Sequence, residues 1–218
     1  MNSIIFLILG ALLIYFGITQ AGFLLVWLGI SFFITGLGHL WIGPLIYGKN
    51  VTGQLPLWSK IIHWPFLLYA LFVWHILRYF SKEHPHDQIT ENIIIGRRLL
   101  KTECPTGIIN YVDLTAEFIE PKSIVENMNY IALPILDAGI PSIEELNLAL
   151  NKVTEQTTYI HCAQGHGRTA IFTIILLVTT GKTQNFEDAF SLIKKIRPAI
   201  NLNSTQKKFV QEYLKNIV

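Results

Sequence analysis

The chain has 218 residues, of which 51% are hydrophobic, and its mean hydropathy is +0.41. This is too apolar for an ordinary soluble domain of that length, so we expect part of the chain to lie in lipid. The net charge of +2 is too small to support a nucleic acid as partner. The two cysteines are too few for a disulfide framework.

Three apolar segments occupy residues 1–80, which we interpret as a transmembrane helical region with membrane lipids as partners. The first two, residues 4–18 and 23–41, are separated by a break of four residues, which predicts a tight helical hairpin. The second is long enough to span a bilayer, and the first is marginal. The third, residues 61–80, carries Trp and Tyr towards its ends, as interfacial segments do. The sequence therefore predicts two or three transmembrane helices.

Basic residues are more frequent after the third apolar segment than before it. Lys49 and Lys60 precede it, whereas five basic residues follow it closely: Arg78, Lys82, Arg97, Arg98 and Lys101. By the positive-inside rule, the C-terminal part faces the cytoplasm. We expect an integral membrane protein in which residues 81–89 are a linker and residues 90–218 form a cytoplasmic domain.

Short apolar strands alternate with helical segments in residues 90–218. The predicted strands are 93–96, 107–114, 130–136 and 158–161. The predicted helices are 122–127, 142–154, 168–180, 186–196 and 205–217. Ser142 with Glu145, and Asn185 with Asp188, have the spacing of helix N-caps. This order predicts an α/β fold with a small, mostly parallel sheet flanked by helices.

The fourth predicted strand leads into a loop that has the composition of a phosphate cradle. We call residues 162–168 the Cys–Arg loop. Between Cys162 and Arg168 stand five residues: Ala163, Gln164, Gly165, His166 and Gly167. A loop that curls from a strand into a helix turns backbone N–H groups inward, and the helix N-terminus adds positive charge. Glycines allow the curl, and the planar fork of Arg168 can hold two phosphate oxygens.

Cys162 lies at the base of this cradle, where the local field favours the thiolate. A thiolate beneath a bound phosphate is placed for nucleophilic attack on phosphorus. Thr169 could donate a hydrogen bond to the sulfur and ease its departure in a second step. The second cysteine, Cys104, is either a core residue or a resolving thiol for an oxidised Cys162.

The motif His-Cys-(five residues)-Arg-Thr resembles the signature of the cysteine-dependent protein tyrosine phosphatases, most closely their dual-specificity branch. The order of strands and helices over residues 90–217 is similar to that branch as well. The resemblance implies a dual-specificity phosphatase-like fold and a phosphoric monoester hydrolase with a cysteinyl-phosphate intermediate. It also implies an Asp general acid on a separate loop, and neither a metal nor another cofactor.

Asp137 is the best candidate for that acid, because it follows the third predicted strand in a turn with Ala138 and Gly139. Ligands of parallel α/β sheets bind beyond the carboxyl ends of the strands, where the Cys–Arg loop also lies. Asp113 is a rival, although its position within a strand favours a structural role, and Glu117 is a weaker rival. Gln206 could position the hydrolytic water, or be an ordinary surface residue.

The sequence leaves the substrate open. A phosphorylated protein, hydrolysed as by a tyrosine or dual-specificity phosphatase, is the first expectation. A lipid phosphate of the phosphatidylglycerophosphate or phosphoinositide type is the alternative, which a membrane anchor makes credible. His166 could contact a second phosphate, or be an exposed turn residue. A catalytically inactive phosphate-binding module is the remaining alternative, although the set of Cys162, Arg168 and Asp137 argues against it.

Overall fold

The structure is a computed structural model that describes residues 2–217, and the chain divides into two compact units. One unit contains the residues up to Ser81 together with Ala116–Ile119. The other contains Lys82–Thr115 and the residues from Glu120 onward. The second unit begins at Lys82, so it includes nearly all of residues 81–89, which the sequence assigned to a linker.

Three long apolar helices form the first unit. Helix α1 covers Asn2–Thr19, α2 covers Phe23–Leu37 and α3 covers Leu57–Phe80. After α2 the chain continues through a π-helical turn and a 3₁₀ turn to Ile46. The break between α1 and α2 confirms the predicted hairpin.

Glycines allow α1 and α2 to pack closely. A Cβ atom added to Gly10 would lie 2.7 Å from the backbone nitrogen of Phe33, and one added to Gly29 would lie 2.8 Å from the carbonyl oxygen of Gly10. Close approach of backbones at small residues is typical of helices that associate in membranes.

Pro65 interrupts the hydrogen-bond ladder of α3, and side chains of α2 replace the lost bond. Proline has no N–H to donate to the carbonyl of Ile61, and the indole N–H of Trp27 donates to that oxygen instead, at 3.0 Å. The backbone N–H of Phe66 donates to the hydroxyl of Ser31 at 3.2 Å. Helices in lipid depend on such internal replacements because no water is available there.

Two helical stretches, Phe23–Ile46 and Leu57–Phe80, are long and apolar enough to cross a membrane, and Ser3–Thr19 is a shorter apolar helix. These lengths agree with the prediction of two or three spanning helices. Buried helices of soluble proteins and signal sequences can have the same length and composition.

The second unit contains a five-stranded sheet in the order β1-β2-β5-β3-β4. The strands are β1 His86–Thr90, β2 Ile93–Arg97, β3 Asn110–Thr115, β4 Asn129–Ile135 and β5 Thr158–Cys162. The pairings β2–β5, β5–β3 and β3–β4 are parallel, and β1 runs antiparallel to β2 at one edge. The predicted α/β class with a mostly parallel sheet is confirmed.

Five helices flank the sheet, and one of them is buried along most of its length. They are α4 Lys122–Asn127, α5 Ile143–Leu150, α6 Gly167–Thr179, α7 Phe186–Ile196 and α8 Ser204–Ile217. Helix α6 is buried from Arg168 to Val178 and packs on the core that also contains Ile160 and Cys162. Tyr159 belongs to a second cluster, because successive side chains of a strand alternate between its faces.

Both predicted N-caps are formed. The side chains of Ser142 and Asn185 accept hydrogen bonds from the backbone N–H groups of Glu145 and Asp188, at 3.2 and 3.0 Å. Helix α5, however, ends at Leu150 instead of residue 154.

Strand β1 was missed, because the sequence assigned most of it to the linker at residues 81–89. Its sequence, His-Asp-Gln-Ile-Thr, is polar, and only Ile89 is buried. An antiparallel edge strand gains its stability from backbone pairing with β2, which hydrophobic periodicity does not reveal.

Candidate active site

The Cys–Arg loop connects the carboxyl end of β5 to the first turn of α6. Cys162 is the last residue of the central strand, and Gly167 is the first residue of the helix. Both Cys162 and Arg168 are buried, with exposed fractions of 4% and 2%. The nucleophile candidate therefore lies below the surface, next to the positive end of α6.

Three successive carbonyl groups of the loop are bonded to donors on one side of it. The oxygen of Ala163 accepts from the backbone N–H of Arg98 at 3.3 Å. The oxygens of Gln164 and Gly165 accept from the guanidinium of Arg197, each at 3.1 Å. In a trans peptide unit the C=O and N–H point in opposite directions. The N–H groups of Gln164, Gly165 and His166 therefore point away from these donors, as a phosphate cradle requires.

Gly165 is required by both conformation and space. Its φ of +73° lies in the left-handed region, which residues with a Cβ atom rarely adopt. A Cβ atom there would lie 2.3 Å from the carbonyl oxygen of Gly96 and 2.8 Å from the backbone nitrogen of Arg97. The loop thus lies directly against the end of β2, with no room for a side chain.

Arg197, at the end of α7, is a residue whose role at the site was missed. Besides its two bonds to the loop, it donates to the carboxylates of Asp87 at 2.6 Å and Glu83 at 3.0 Å. It also donates to the carbonyl of His84 at 3.1 Å. Its side chain is 2% exposed, so these two acids balance a buried charge. In the sequence, the position of Arg197 between the last residue of a predicted helix and Pro198 did not indicate a role at the site.

Asp137 and Arg168, which the sequence predicted to share a site, are in contact. The Nη2 of Arg168 lies 3.3 Å from Oδ1 of Asp137, and its Nη1 donates to the carbonyl of Ile135 at 2.9 Å. The side chain of Asp137 is 69% exposed whereas that of Arg168 is 2% exposed. The carboxylate is therefore accessible to a substrate that binds at the guanidinium.

Side chains that precede or begin α8 hold the Asp137 loop (residues 137–141) in place. Asn203 donates to the carbonyl of Ala138 at 2.9 Å, and Gln206 donates to that of Gly139 at 3.0 Å. Ala138 has a φ of +59°, an uncommon value for a residue with a side chain. Gln206 is buried, and a Cβ atom on Gly167 would lie 2.9 Å from its Oε1. Gln206 is therefore a site residue between the two loops, and the surface alternative is wrong.

Asp113 has a structural environment. It is fully buried and accepts hydrogen bonds from Thr115 and from the phenol of Tyr130, the latter at 2.6 Å. Burial, and then the charge of Asp113, raise the pKa of Tyr130, which keeps the phenol protonated as a donor. Asp113, Glu120 and His161 could bring three metal-ligating atoms within 4.8 Å of one another. Hydrogen-bond donors already occupy both carboxylates, since Arg98 donates to Glu120 at 2.7 Å.

Thr169 is buried at the site, but its hydroxyl has no hydrogen-bond partner among the residues that the structure describes. The predicted bond to the Cys162 sulfur is therefore not formed in this structure. A threonine hydroxyl can rotate its hydrogen freely, so its role remains a prediction.

Cys104 packs with the cluster that contains Tyr111 and Tyr159, whereas Cys162 belongs to the core around α6. Burial, and then the charge of Glu120, raise the pKa of the Cys104 thiol. Both observations favour the core interpretation of Cys104 over the resolving-thiol interpretation, because redox reactivity needs the thiolate.

A family model described as Swiss Army Knife protein, DSP-PTPase phosphatase domain, matches residues 96–210, which is more than half of the chain. A curated relative, the phosphatidylglycerophosphate phosphatase PTPMT2 of Arabidopsis thaliana, is 28% identical over 169 residues. These cover 71% of this chain and 72% of the relative.

Two solved structures have the same fold. The human tyrosine phosphatase-like serine/threonine/tyrosine-interacting protein superposes with a TM-score of 0.54 at 21% identity, covering 62% of this chain and 99% of that one. PTPMT1 in complex with PI(5)P superposes with a TM-score of 0.53 at 19% identity, covering 61% and 96%.

The fold and site define a cysteine-dependent phosphatase of the protein tyrosine phosphatase superfamily, in its dual-specificity branch. Within that class, the chain belongs to the Swiss Army Knife DSP-PTPase family.

Replacing Gly165 with Ala should distort the Cys–Arg loop, because the new Cβ atom would clash with the carbonyl oxygen of Gly96. We expect kcat/KM for a small aryl phosphate to fall by about 100-fold or more, which corresponds to about 2.7 kcal/mol of transition-state stabilisation. Gly181 is a matched control, because its φ is +68° and a Cβ atom there would meet nothing within 4 Å. Gly181→Ala should cost some stability but keep activity within about threefold. Equal activities of the two variants would show that the loop tolerates a Cβ atom.

Proposed function

We propose that this protein is a membrane-anchored phosphatase that hydrolyses a phosphomonoester on a phospholipid headgroup through a cysteinyl-phosphate intermediate. The observation that carries the proposal is the cupped Cys–Arg loop, whose amides face away from Arg98 and Arg197 while Asp137 contacts Arg168. The phosphate-binding residues are Ala163, Gln164, Gly165, His166, Gly167 and Arg168. The catalytic residues are Cys162, Arg168, Asp137 and Thr169.

In the first step the thiolate of Cys162 attacks phosphorus and forms an S–P bond. The bond from phosphorus to the headgroup oxygen breaks, and Asp137 donates its proton to that oxygen. Arg168 and the loop amides hold the equatorial oxygens while charge redistributes among them. Arg168 suits this role because its guanidinium is already oriented by the carbonyl of Ile135.

In the second step Asp137, now a carboxylate, accepts a proton from water as the water attacks phosphorus. The S–P bond breaks and the electron pair returns to the sulfur of Cys162, where the Thr169 hydroxyl can stabilise it by turning towards it. Gln206, which lies between the Asp137 loop and the start of α6, can help to orient the water.

The relatives and the apolar helices favour a lipid substrate. A curated relative is a phosphatidylglycerophosphate phosphatase, and a structural neighbour was solved with a phosphoinositide. Residues 1–80 would hold the protein in a membrane, with the catalytic unit, which begins at Lys82 and includes β1, on the cytoplasmic side. Anchoring keeps the site close to headgroups and thereby raises their effective concentration.

A phosphorylated protein, which the sequence alone favoured, is the second candidate. The observation that supports it is the likeness to dual-specificity phosphatase folds. An anchored phosphatase could act equally on proteins at the membrane surface.

A comparison of phospholipid vesicles with phosphopeptides tests the substrate. We expect the full-length protein to release phosphate from phosphatidylglycerophosphate or phosphatidylinositol phosphate vesicles with a kcat/KM about tenfold or more above that for phosphotyrosyl peptides, as lipid recognition implies. Cys162→Ser should abolish release from every substrate but retain vanadate binding. A preference for phosphopeptides would replace the lipid assignment, and full activity of Cys162→Ser would end the cysteine mechanism.

Changing Asp137 to Asn should lower kcat/KM, which reports the steps up to phosphoryl transfer to Cys162, by about 100-fold or more for a lipid phosphate, because general acids contribute about 10²–10⁴-fold. The loss should be much smaller for an aryl phosphate whose leaving group is already acidic. Asp188→Asn, an exposed acid on α7, should leave both rates unchanged. Equal losses of Asp137→Asn on both substrates would contradict the role of Asp137 as proton donor.

A further inference from the structure

One carboxylate oxygen bridges two groups that shape the Cys–Arg loop. Oε2 of Glu83 accepts a hydrogen bond from Nε2 of His166 at 2.9 Å and another from Nη2 of Arg197 at 3.0 Å. Glu83 lies in the bend just before β1, in the same compact unit as the loop. It is separated from these partners by 83 and 114 positions in the sequence, so only the fold brings them together.

His166 is the apex of the loop and the residue that precedes α6. Its backbone, at φ −115° and ψ −102°, makes the change of direction into the helix, and no side-chain bond caps the helix there. Holding the imidazole therefore restrains the backbone of His166. The N–H of His166 is one of the three groups expected to face the phosphate.

Arg197 holds the neighbouring peptides through the carbonyls of Gln164 and Gly165. Its guanidinium can bond both only while its orientation is fixed, and Glu83 and Asp87 supply the two acidic partners that fix it. Of these two acids, Glu83 also accepts a hydrogen bond from His166 at the loop apex. Three consecutive loop residues, Gln164, Gly165 and His166, are thus held from one side.

We propose that Glu83 is a positioning residue for phosphate transfer, which ties the loop apex to Arg197 and so keeps the loop amides aimed at the phosphate. This rests on the proposed cysteine mechanism. Glu83 acts through His166 and Arg197 and does not touch the reacting atoms. The same bond engages the His166 nitrogen that could otherwise contact a second phosphate.

The test compares Glu83→Ala with Glu83→Gln in the 218-residue protein in detergent. The amide oxygen of Gln can accept both hydrogen bonds, whereas Ala can accept neither. We expect Glu83→Ala to lower kcat/KM for an aryl phosphate, and to weaken vanadate binding measured by calorimetry, each by about tenfold or more, as the loss of both hydrogen bonds implies. Glu83→Gln should stay within about threefold of wild type in both.

Glu91→Ala is the matched control, because Glu91 is an exposed acid in the β1–β2 turn. It should change both quantities by less than about twofold. Thermal midpoints of all variants show whether they are folded at the assay temperature, and Glu83→Gln keeps the test decisive if Glu83→Ala does not fold.

A double-mutant cycle with His166→Ala separates positioning from a general loss of stability. If Glu83 acts partly through His166, the double variant should lose less than the product of the two single losses. Multiplicative losses, a Glu83→Ala variant equal to wild type, or a Glu83→Gln variant as impaired as Glu83→Ala would each overturn the proposal. An inactive wild-type protein that also fails to bind vanadate would contradict the phosphatase mechanism itself.

Discussion

The site depends on the orientation of three consecutive peptide units. The carbonyls of Ala163, Gln164 and Gly165 are bonded to the backbone of Arg98 and the side chain of Arg197, so the following N–H groups must face the opposite side. Without these bonds a loop of this length could adopt many shapes, and few of them would form an anion cradle. The arrangement also explains why no side chain fits at Gly165.

The rest of the second unit supplies what this orientation needs. The parallel sheet places the ends of β2 and β5 side by side, so Gly96 of β2 contacts the loop closely and Arg98, the residue after β2, provides its N–H. Burial of α6 fixes the direction of its positive end. Burying a guanidinium costs free energy unless it is paired with an acid. Glu83, before β1, and Asp87, within it, provide the carboxylates that pair with Arg197.

Local features of the sequence were sufficient for the sheet class, the helix caps and the Cys–Arg loop. Each depends on a short spacing, such as the five residues between Cys162 and Arg168. The contribution of β1, and of the bonds from Glu83 and Arg197, could not be predicted in this way. They depend on pairing between distant residues with no periodic signal, and Glu83 stood in a stretch whose polarity indicated a linker. For Thr169 the sequence suggested too much. Its position in the motif indicated a hydrogen bond to the sulfur of Cys162, which the structure does not contain.

The proposed reaction depends on one covalent intermediate, a phosphoryl group on Cys162. The most direct measurement is to mix the protein with phosphatidylglycerophosphate vesicles, quench with acid within the first turnover and map the peptides by mass spectrometry. The account predicts a phosphoryl group on the peptide that contains Cys162, absent from Cys162→Ser. Phosphate release with no phosphorylated peptide, or with the group on another residue, would contradict it.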